Sequence, residues 1–242
     1  MAKEKEIPLQ KVRSLEALQK IVVDCRRCPR LIQHCRTIAK EKRRAYRDWN
    51  YWGKPVPSFG DPAAELLILG LAPAAHGANR TGRMFTGDRS GDFLYRALHR
   101  AGFATQAESV RVGDGLQLEN CYITAVGRCA PPANKPLPEE LSRCRPYLEQ
   151  ELRLLENVRV VVALGRIAFD SYLKLLVDKG RIPSRRPYTF GHGASYELPA
   201  PLPRLFVSYH PSQQNTLTGK LTEEMFQSVF RQIKTFLAKN RA

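Results

Sequence analysis

Four short apolar runs recur along the chain, and each is followed by a polar loop and then by a helical pattern. The runs cover residues 66–71, 120–126, 158–164 and 204–209. The first run is unbroken, and mainly apolar runs of this length are typical of strands buried on both faces; their alternation with helices favours a parallel sheet. The pattern therefore predicts an α/β fold of three layers, αβα, around a four-stranded, mainly parallel sheet.

The helices are predicted from apolar positions that recur at helical spacing. They are expected at residues 11–23, 92–101, 138–156, 167–177 and 222–238. No change of composition separates one part of the chain from another, so we expect a single domain over residues 1–242. Within it, residues 1–62 form an N-terminal helix and a cysteine-containing arm, and residues 63–242 form the αβα core.

The loop after the first strand is the strongest candidate for a binding site. Connections of this kind usually run to about six residues, and this one is roughly three times longer. It carries His76, Arg83 and Asp88 among several polar residues. Ligands bind at the carboxyl ends of parallel strands, so the loop predicts a pocket there, although an unusually polar connection would have the same composition.

The charge balance points to a polyanionic partner. The chain has 39 Lys plus Arg and 23 Asp plus Glu, a formal net charge of +16. Such an excess suits phosphate neutralisation, although a basic surface with no specific partner would look the same.

The N-terminus lacks an apolar signal segment and no window resembles a membrane span, so we expect an intracellular, cytoplasmic protein without a membrane segment.

The cysteine spacing indicates a candidate metal centre. Cys25 and Cys28 form a CxxC pair, which by itself is also typical of a redox pair or of two unrelated thiols. Cys129 and Cys144 follow the second strand and complete a set of four thiolates, which suits either zinc or an iron–sulfur cluster. The other two cysteines, Cys35 and Cys121, are interpreted as packing or surface thiols.

Four residues in the loops after the strands have the chemistry of a nucleobase site. Asp88 can orient or deprotonate a water, Asn134 can pair with the edge of a base, Phe85 can stack on it, and His210 can donate a hydrogen bond to a leaving group. Each has a structural alternative. Asp88 suits a helix N-cap, Asn134 a turn, Phe85 the core, and His210 a hydrogen-bonded position at a strand end.

Four motifs, with the flanking cysteines, carry a family resemblance that extends from Cys25 to the last helix. They are GLAPAAHGANRTGRMFTGD at residues 70–88, RCAPPANKP at 128–136, ALGR at 163–166 and SYHPSQQNTLTGKLT at 208–222. Together they closely resemble the family 5, or type B, uracil-DNA glycosylases of the uracil-DNA glycosylase superfamily.

The resemblance implies a monofunctional DNA glycosylase. Such an enzyme hydrolyses the N-glycosidic bond of uracil, and of other deaminated bases such as hypoxanthine, and leaves an abasic site that initiates base-excision repair. It also implies an αβα fold and a [4Fe-4S] cluster held by Cys25, Cys28, Cys129 and Cys144. In the wider superfamily a polar Asp, Asn or Glu usually activates the water early in the first motif. Here residues 72–76 read APAAH, so Asp88 is the nearest carboxylate for that role.

The predicted roles fall into three groups. Asp88 and His210 are assigned to catalysis, Gly70, Leu71, Ala72, His76, Phe85 and Asn134 to substrate binding, and Arg83, Ser212, Gln213, Gln214 and Asn215 to DNA binding. We expect a monomer acting on DNA. A non-catalytic nucleic-acid-binding module with a zinc site is the main alternative. An iron–sulfur nuclease fits less well, because a Mg²⁺ site needs clustered carboxylates.

Overall fold

The computed structural model describes residues 8–239 and contains one sheet. Its strands are β1 (Phe59–Gly60), β2 (Leu66–Gly70), β3 (Cys121–Ala125), β4 (Val160–Leu164), β5 (Ser195–Tyr196) and β6 (Arg204–Ser208). They lie in the order β1-β3-β2-β4-β6-β5. The four central strands are parallel, and the two edge strands, β1 and β5, pair antiparallel to their neighbours.

Helices cover both faces of the sheet. They are α1 (Leu15–Val23), α2 (Pro29–Glu41), α3 (Ala78–Thr81), α4 (Arg89–Arg100), α5 (Pro138–Leu154), α6 (Arg166–Asp178), α7 (Gln213–Leu217) and α8 (Glu223–Lys239). Short 3-10 turns occur at Leu9–Lys11, Arg44–Tyr46 and Pro132–Asn134. The result is a three-layer α/β/α arrangement.

Alternation along the strands assigns each helix to a face. Ile68 of β2 is fully buried in the cluster that includes apolar side chains of α4 and α8. Its neighbours Leu67 and Leu69 are fully buried in the opposite cluster, with side chains of α5 and α6 such as Leu148 and Phe169. Successive side chains point to opposite faces of a strand, so one apolar run supplies both core layers.

The predicted fold class is confirmed, and the sheet and the helices differ from the prediction in detail. The sheet has six strands where four are predicted, because β1 and β5 are two residues long and too short to show a sequence pattern. The first predicted helix begins late, at Leu15, because the Ser14 hydroxyl accepts a hydrogen bond of 3.2 Å from the Ala17 N–H and so caps α1 there. The predicted division at residue 62 stays a prediction.

The topology sets the position of the polar loops. Because β2, β3 and β6 are parallel, the loops that follow them leave the sheet at the same edge. Within the described range, 8–239, no helix combines the length and the apolar character that crossing a membrane requires.

Candidate active site

A cavity of about 510 Å³, here called the main cavity, opens at the carboxyl edge of the parallel strands. Its walls come from the loops after β2, β3 and β6, and Phe85, Asp88, Asn134 and His210 all line it. Residues from three separate loops are therefore brought together at one opening. The volume lies in the range of small-molecule and cofactor sites.

Phe85 presents its ring to the main cavity from a position above the end of β2. Its φ of +51° lies in the left-handed region, and its ring is stacked on that of His210 with centroids 6.0 Å apart and planes 28° from parallel. A Cβ atom on Gly70 would lie 2.9 Å from two carbons of the Phe85 ring. Gly70 thus contributes to the site by leaving room for the ring.

Asp88 occupies two roles at once. It is the N-cap of α4, with Oδ1 accepting a hydrogen bond of 2.9 Å from the Gly91 N–H. Its side chain also borders the main cavity, and burial raises the pKa of this carboxyl above its usual value. The structural alternative and the functional assignment are therefore compatible, because a cap uses one oxygen of the carboxylate.

His210 follows β6 and is neutral at physiological pH. Burial lowers the pKa of its imidazole to about 4, since the charged form is poorly solvated there. No group within residues 8–239 hydrogen-bonds to its ring. A neutral imidazole carries one N–H donor, so His210 can offer a hydrogen bond to a ligand in the cavity.

Asn134 reaches the main cavity from the loop after β3. It ends the short turn Pro132–Asn134 with a φ of +56°, a conformation that asparagine tolerates better than most residues. Its side-chain amide is exposed and makes no hydrogen bond to the described part of the protein. Leu71 and Ala72, at the end of β2, line the same cavity. An amide with its donor and acceptor both available suits the recognition of a base edge.

The loop after His210 forms another wall of the main cavity. Ser212, Gln213 and Gln214 line it, and the Ser212 hydroxyl caps α7 by accepting a hydrogen bond of 3.3 Å from the Asn215 N–H. The Asn215 amide donates a hydrogen bond of 2.8 Å to the His210 carbonyl oxygen. Asn215 therefore braces the loop, while the two glutamines are exposed.

The structure corrects the DNA-binding assignment of Arg83. The side chain is 5% exposed, and its guanidinium forms an ion pair of 2.6 Å with Asp114 and hydrogen bonds with Ser109 and Thr86. The hydrogen bonds and the ion pair of its guanidinium are thus all with other residues of the protein. The predicted role fails because Asp114, in the irregular segment before β3, comes to lie against Arg83 in the folded chain.

His76 lies beside the main cavity in a second one of about 570 Å³, here called the side cavity. Its Nδ1 atom is 3.1 Å from the Tyr51 hydroxyl. Burial lowers the pKa of His76, and the charges of Arg43 and Arg80 lower it further. The two cavities share Asp88 and Asn134 among their walls, so His76 borders the substrate region without lining the main cavity.

The four cysteines of the predicted metal centre line a single small cavity. Cys25, Cys28, Cys129 and Cys144 surround it together with side chains of α2 and α5. Burial raises the pKa of the Cys144 thiol to about 12. Across residues 8–239, no group of three or more His, Cys, Asp or Glu side chains is placed to hold a metal ion. Cys35, interpreted as a packing or surface thiol, is fully buried.

A buried polar network connects the cysteine cavity to the sheet. Glu151 of α5 is fully buried and pairs with Arg128, which is 2% exposed and directly precedes Cys129. The same carboxylate accepts hydrogen bonds of 2.6 Å from the hydroxyls of Ser58 and Thr124. The sequence analysis misses Glu151, although a charged residue on the apolar face of a helix is a signal for it.

Two arginines at the site are also absent from the predicted set. Arg43 lines the side cavity, and Arg89, the first residue of α4, lines both cavities. The strongly basic segment around Arg43 and the position of Arg89 next to Asp88 are the sequence signals for them. They leave the rim of the site with more positive charge than the predicted residues supply.

Fold and site together define a class of protein. The chain has a three-layer α/β/α fold and a high positive charge, and an aromatic ring, an amide, a carboxylate and a neutral imidazole surround one cavity. This combination is typical of a protein that acts on a nucleobase in a nucleic acid. The model of the Uracil DNA glycosylase superfamily matches residues 57–234. The chain belongs to this superfamily and, within it, to the type-5 uracil-DNA glycosylases.

Individual relatives agree with this placement. The type-5 uracil-DNA glycosylase of Thermus thermophilus is 52% identical over 219 residues, which cover 90% of this chain and 96% of the relative. That of Mycobacterium tuberculosis is 51% identical over 222 residues, 91% of this chain and 81% of the relative. A type-4 uracil-DNA glycosylase of Pyrobaculum aerophilum is 29% identical over 215 residues, 87% of this chain and 91% of the relative.

Proposed function

We propose that this protein is a monofunctional glycosylase that removes uracil from DNA and thereby starts base-excision repair. The observation that carries the proposal is the convergence of Phe85, Asp88, Asn134 and His210 on one cavity of about 510 Å³. The substrate is a nucleotide flipped out of the duplex, because the reacting atoms are out of reach inside the base stack.

The reaction is a hydrolysis in which Asp88 acts on the positive charge of the sugar and His210 acts on the negative charge of the leaving base. The C1′–N1 bond of the nucleotide breaks, and its electron pair leaves with the uracil. The sugar becomes positive, a water oxygen bonds to C1′, and the water loses a proton. The Asp88 carboxylate positions that water, takes its proton and offsets the charge of the sugar. The raised pKa makes it a better proton acceptor than an ordinary aspartate.

His210 acts on the leaving base. As a neutral imidazole with a free N–H, it donates a hydrogen bond to the oxygen on which negative charge develops. A neutral donor suits this role, because it stabilises the anion without having to lose its own proton. The contact strengthens as the bond breaks and so favours the transition state over the bound substrate.

Base selection is assigned to Phe85 and Asn134. Phe85 stacks on the flipped base, and the Asn134 amide pairs with its edge, with backbone groups of Leu71 and Ala72 beside it. The amide is able to rotate so that donor and acceptor exchange, and this tolerance extends the substrates to other deaminated bases such as hypoxanthine. Gln213 and Gln214, exposed next to the cavity, fill the space that the flipped nucleotide leaves.

The cysteine cavity is assigned to a [4Fe-4S] cluster. Four sulfur donors around one cavity are the ligand set of such a cluster, and Cys25, Cys28, Cys129 and Cys144 would hold it. When bound, the cluster supplies a structural cross-link between the N-terminal arm and the loop that carries Asn134.

The Cys129→Ala variant tests this assignment and should lose absorbance near 400 nm and activity together. A Cys121→Ala control, in the core of β3, should keep both. Full activity in a cluster-free Cys129→Ala protein contradicts this role.

The function is tested by strand scission after alkali treatment of a duplex with one uracil opposite guanine. The intact protein should give scission only after alkali, and Asp88→Asn and His210→Ala should each reduce it strongly. Absence of scission by the intact protein would favour a base-binding module. Cutting without alkali would indicate lyase or nuclease chemistry. A parallel duplex with hypoxanthine tests the wider substrate range.

A further inference from the structure

The side cavity continues the main cavity along one direction. Its volume is about 570 Å³, and the two cavities have Ala74, Asp88, Arg89, Asn134 and Gln213 in common. The two cavities therefore adjoin, and a chain that enters the main cavity can continue into the side cavity. None of the residues that line the side cavity only, Arg43 and His76 among them, has a part in the chemistry described above.

A buried cation, Arg80, lies behind the lining of the side cavity and does not itself line it. The Arg80 guanidinium, 3% exposed, lies between the rings of Tyr46 and Trp49 at 3.9 and 4.1 Å from their centroids. It donates hydrogen bonds of 2.8 and 2.7 Å to the carbonyl oxygens of His76 and Gly87, both of which line the cavity. Its third nitrogen, Nη1, is buried without a hydrogen-bond partner in the described part of the chain.

The rim of the side cavity carries further positive charge. Arg43 and Arg89 both line it, and within residues 8–239 neither forms a salt bridge with a carboxylate. Arg43 belongs to a basic segment, residues 36–47, that has six Lys or Arg residues and a single acid, Glu41. The buried guanidinium behind the lining and the two arginines at the rim outweigh the one carboxylate that lines the cavity, Asp88, so the site favours an anion over a neutral ligand.

We propose that the side cavity binds the backbone phosphate of the DNA strand next to the nucleotide in the main cavity, with Arg43 and Arg89 at its rim. The inference rests on the proposed function. The ring of Tyr46, which packs against the Arg80 guanidinium, forms part of the wall of the subsite. Such a contact positions the strand and carries no sequence information, in keeping with an enzyme that must find uracil in any context.

The test measures binding without turnover. Duplexes carry a stable abasic-site analogue, and in each one a single phosphate near that site is replaced by an uncharged methylphosphonate. For the wild type, one position should weaken binding by about threefold to tenfold. In Arg43→Gln the same replacement should have little further effect, and the slope of log Kd against log salt should fall by about one. Arg181→Gln is the matched control, because Arg181 is exposed beside a cavity at the amino edge of the sheet.

The outcomes separate the possible ligands. Equal effects of every methylphosphonate in the wild type and in Arg43→Gln would overturn the proposal. It would be overturned as well if inorganic phosphate bound in an Arg43-dependent way while no DNA phosphate showed coupling, since the site would then hold free anions. Uracil excision by the wild type is measured separately. An active enzyme without coupling leaves the proposed function standing, and coupling in an inactive protein leaves the subsite standing.

Discussion

The carboxylate of Asp88 lies where the side chain of residue 77 would be if that residue were not glycine. A Cβ atom built on Gly77 falls 2.0 Å from Oδ2 of Asp88, far inside van der Waals contact. The other oxygen, Oδ1, is held by the Gly91 N–H at 2.9 Å. The position of the proposed water-activating group is therefore set from both sides, by a hydrogen bond and by a missing side chain.

Gly77→Ala should displace the Asp88 carboxylate and reduce uracil excision. A misplacement of about 1 Å in a catalytic group lowers rates by about a hundredfold, so we expect a loss of that order in kcat. The measurement is single-turnover excision from a duplex with uracil opposite guanine. Gly191→Ala is the control, because a Cβ atom there meets nothing within 4 Å, its φ lies outside the left-handed region, and the residue lines neither cavity. Equal rates for the two variants would show that the contact is not needed.

Substitution of Asp88 should separate its structural role from its chemical one. Asn is as good an N-cap as Asp, so Asp88→Asn should keep the hydrogen bond to Gly91 and the melting temperature while excision falls by about a hundredfold or more. Asp88→Ala should lose about 1 kcal/mol of stability as well, which lowers Tm by about 2–4 °C. Thermal melting and single-turnover rates of both variants check this. An active Asp88→Asn protein would remove Asp88 from the chemistry.

The pH dependence of kcat/KM should show no step at the usual pKa of histidine. Burial lowers the pKa of His210 to about 4, so its imidazole remains neutral down to that pH. Burial raises the pKa of Asp88 above its usual value, and activity needs the ionised form, so activity should fall as the pH drops through that raised pKa. Protonation of His210 and of Asp88 would therefore both appear on the acid limb of the pH profile. A limb near pH 6.5 that disappears in His210→Gln would contradict the assignment.

Glu151→Gln should destabilise the protein strongly, because it leaves Arg128 buried without its counter-charge. Breaking a buried ion pair at one partner costs about 3–5 kcal/mol, which corresponds to a fall in Tm of roughly 10 °C. Glu224→Gln, which breaks an exposed pair with Arg231, is the control and should leave Tm almost unchanged. Thermal melting of both variants makes the comparison. Equal melting temperatures would mean that the network of Arg128 and Glu151 adds no stability.

The edge of the sheet at which the site lies could be predicted because the signals are local. The apolar run of each strand is continuous in sequence, and the loop that follows it must emerge at the carboxyl edge of a parallel sheet. Asp88, Asn134 and His210 each follow a different strand, so their convergence was a consequence of topology alone. The structure brings all three to one cavity.

Arg83 shows where this reasoning stops. In the sequence it lies in the same polar loop as His76 and Asp88, and nothing local distinguishes a buried arginine from an exposed one. Its partner Asp114 is 31 positions further along, in a segment without a regular pattern. Because that segment packs against the loop, Arg83 forms an internal ion pair with Asp114.

By itself, the sequence determined the α/β class, the four central strands, the edge of the sheet at which the polar loops meet, and the type-5 resemblance of the motifs. Tertiary structure alone decided which charges are paired, that Arg43 lines a second cavity beside the first, and that Gly77 makes room for Asp88. The reason is physical. Strand and helix periods are local properties that neighbouring residues share, whereas ion pairs and cavities depend on which distant segments are packed together.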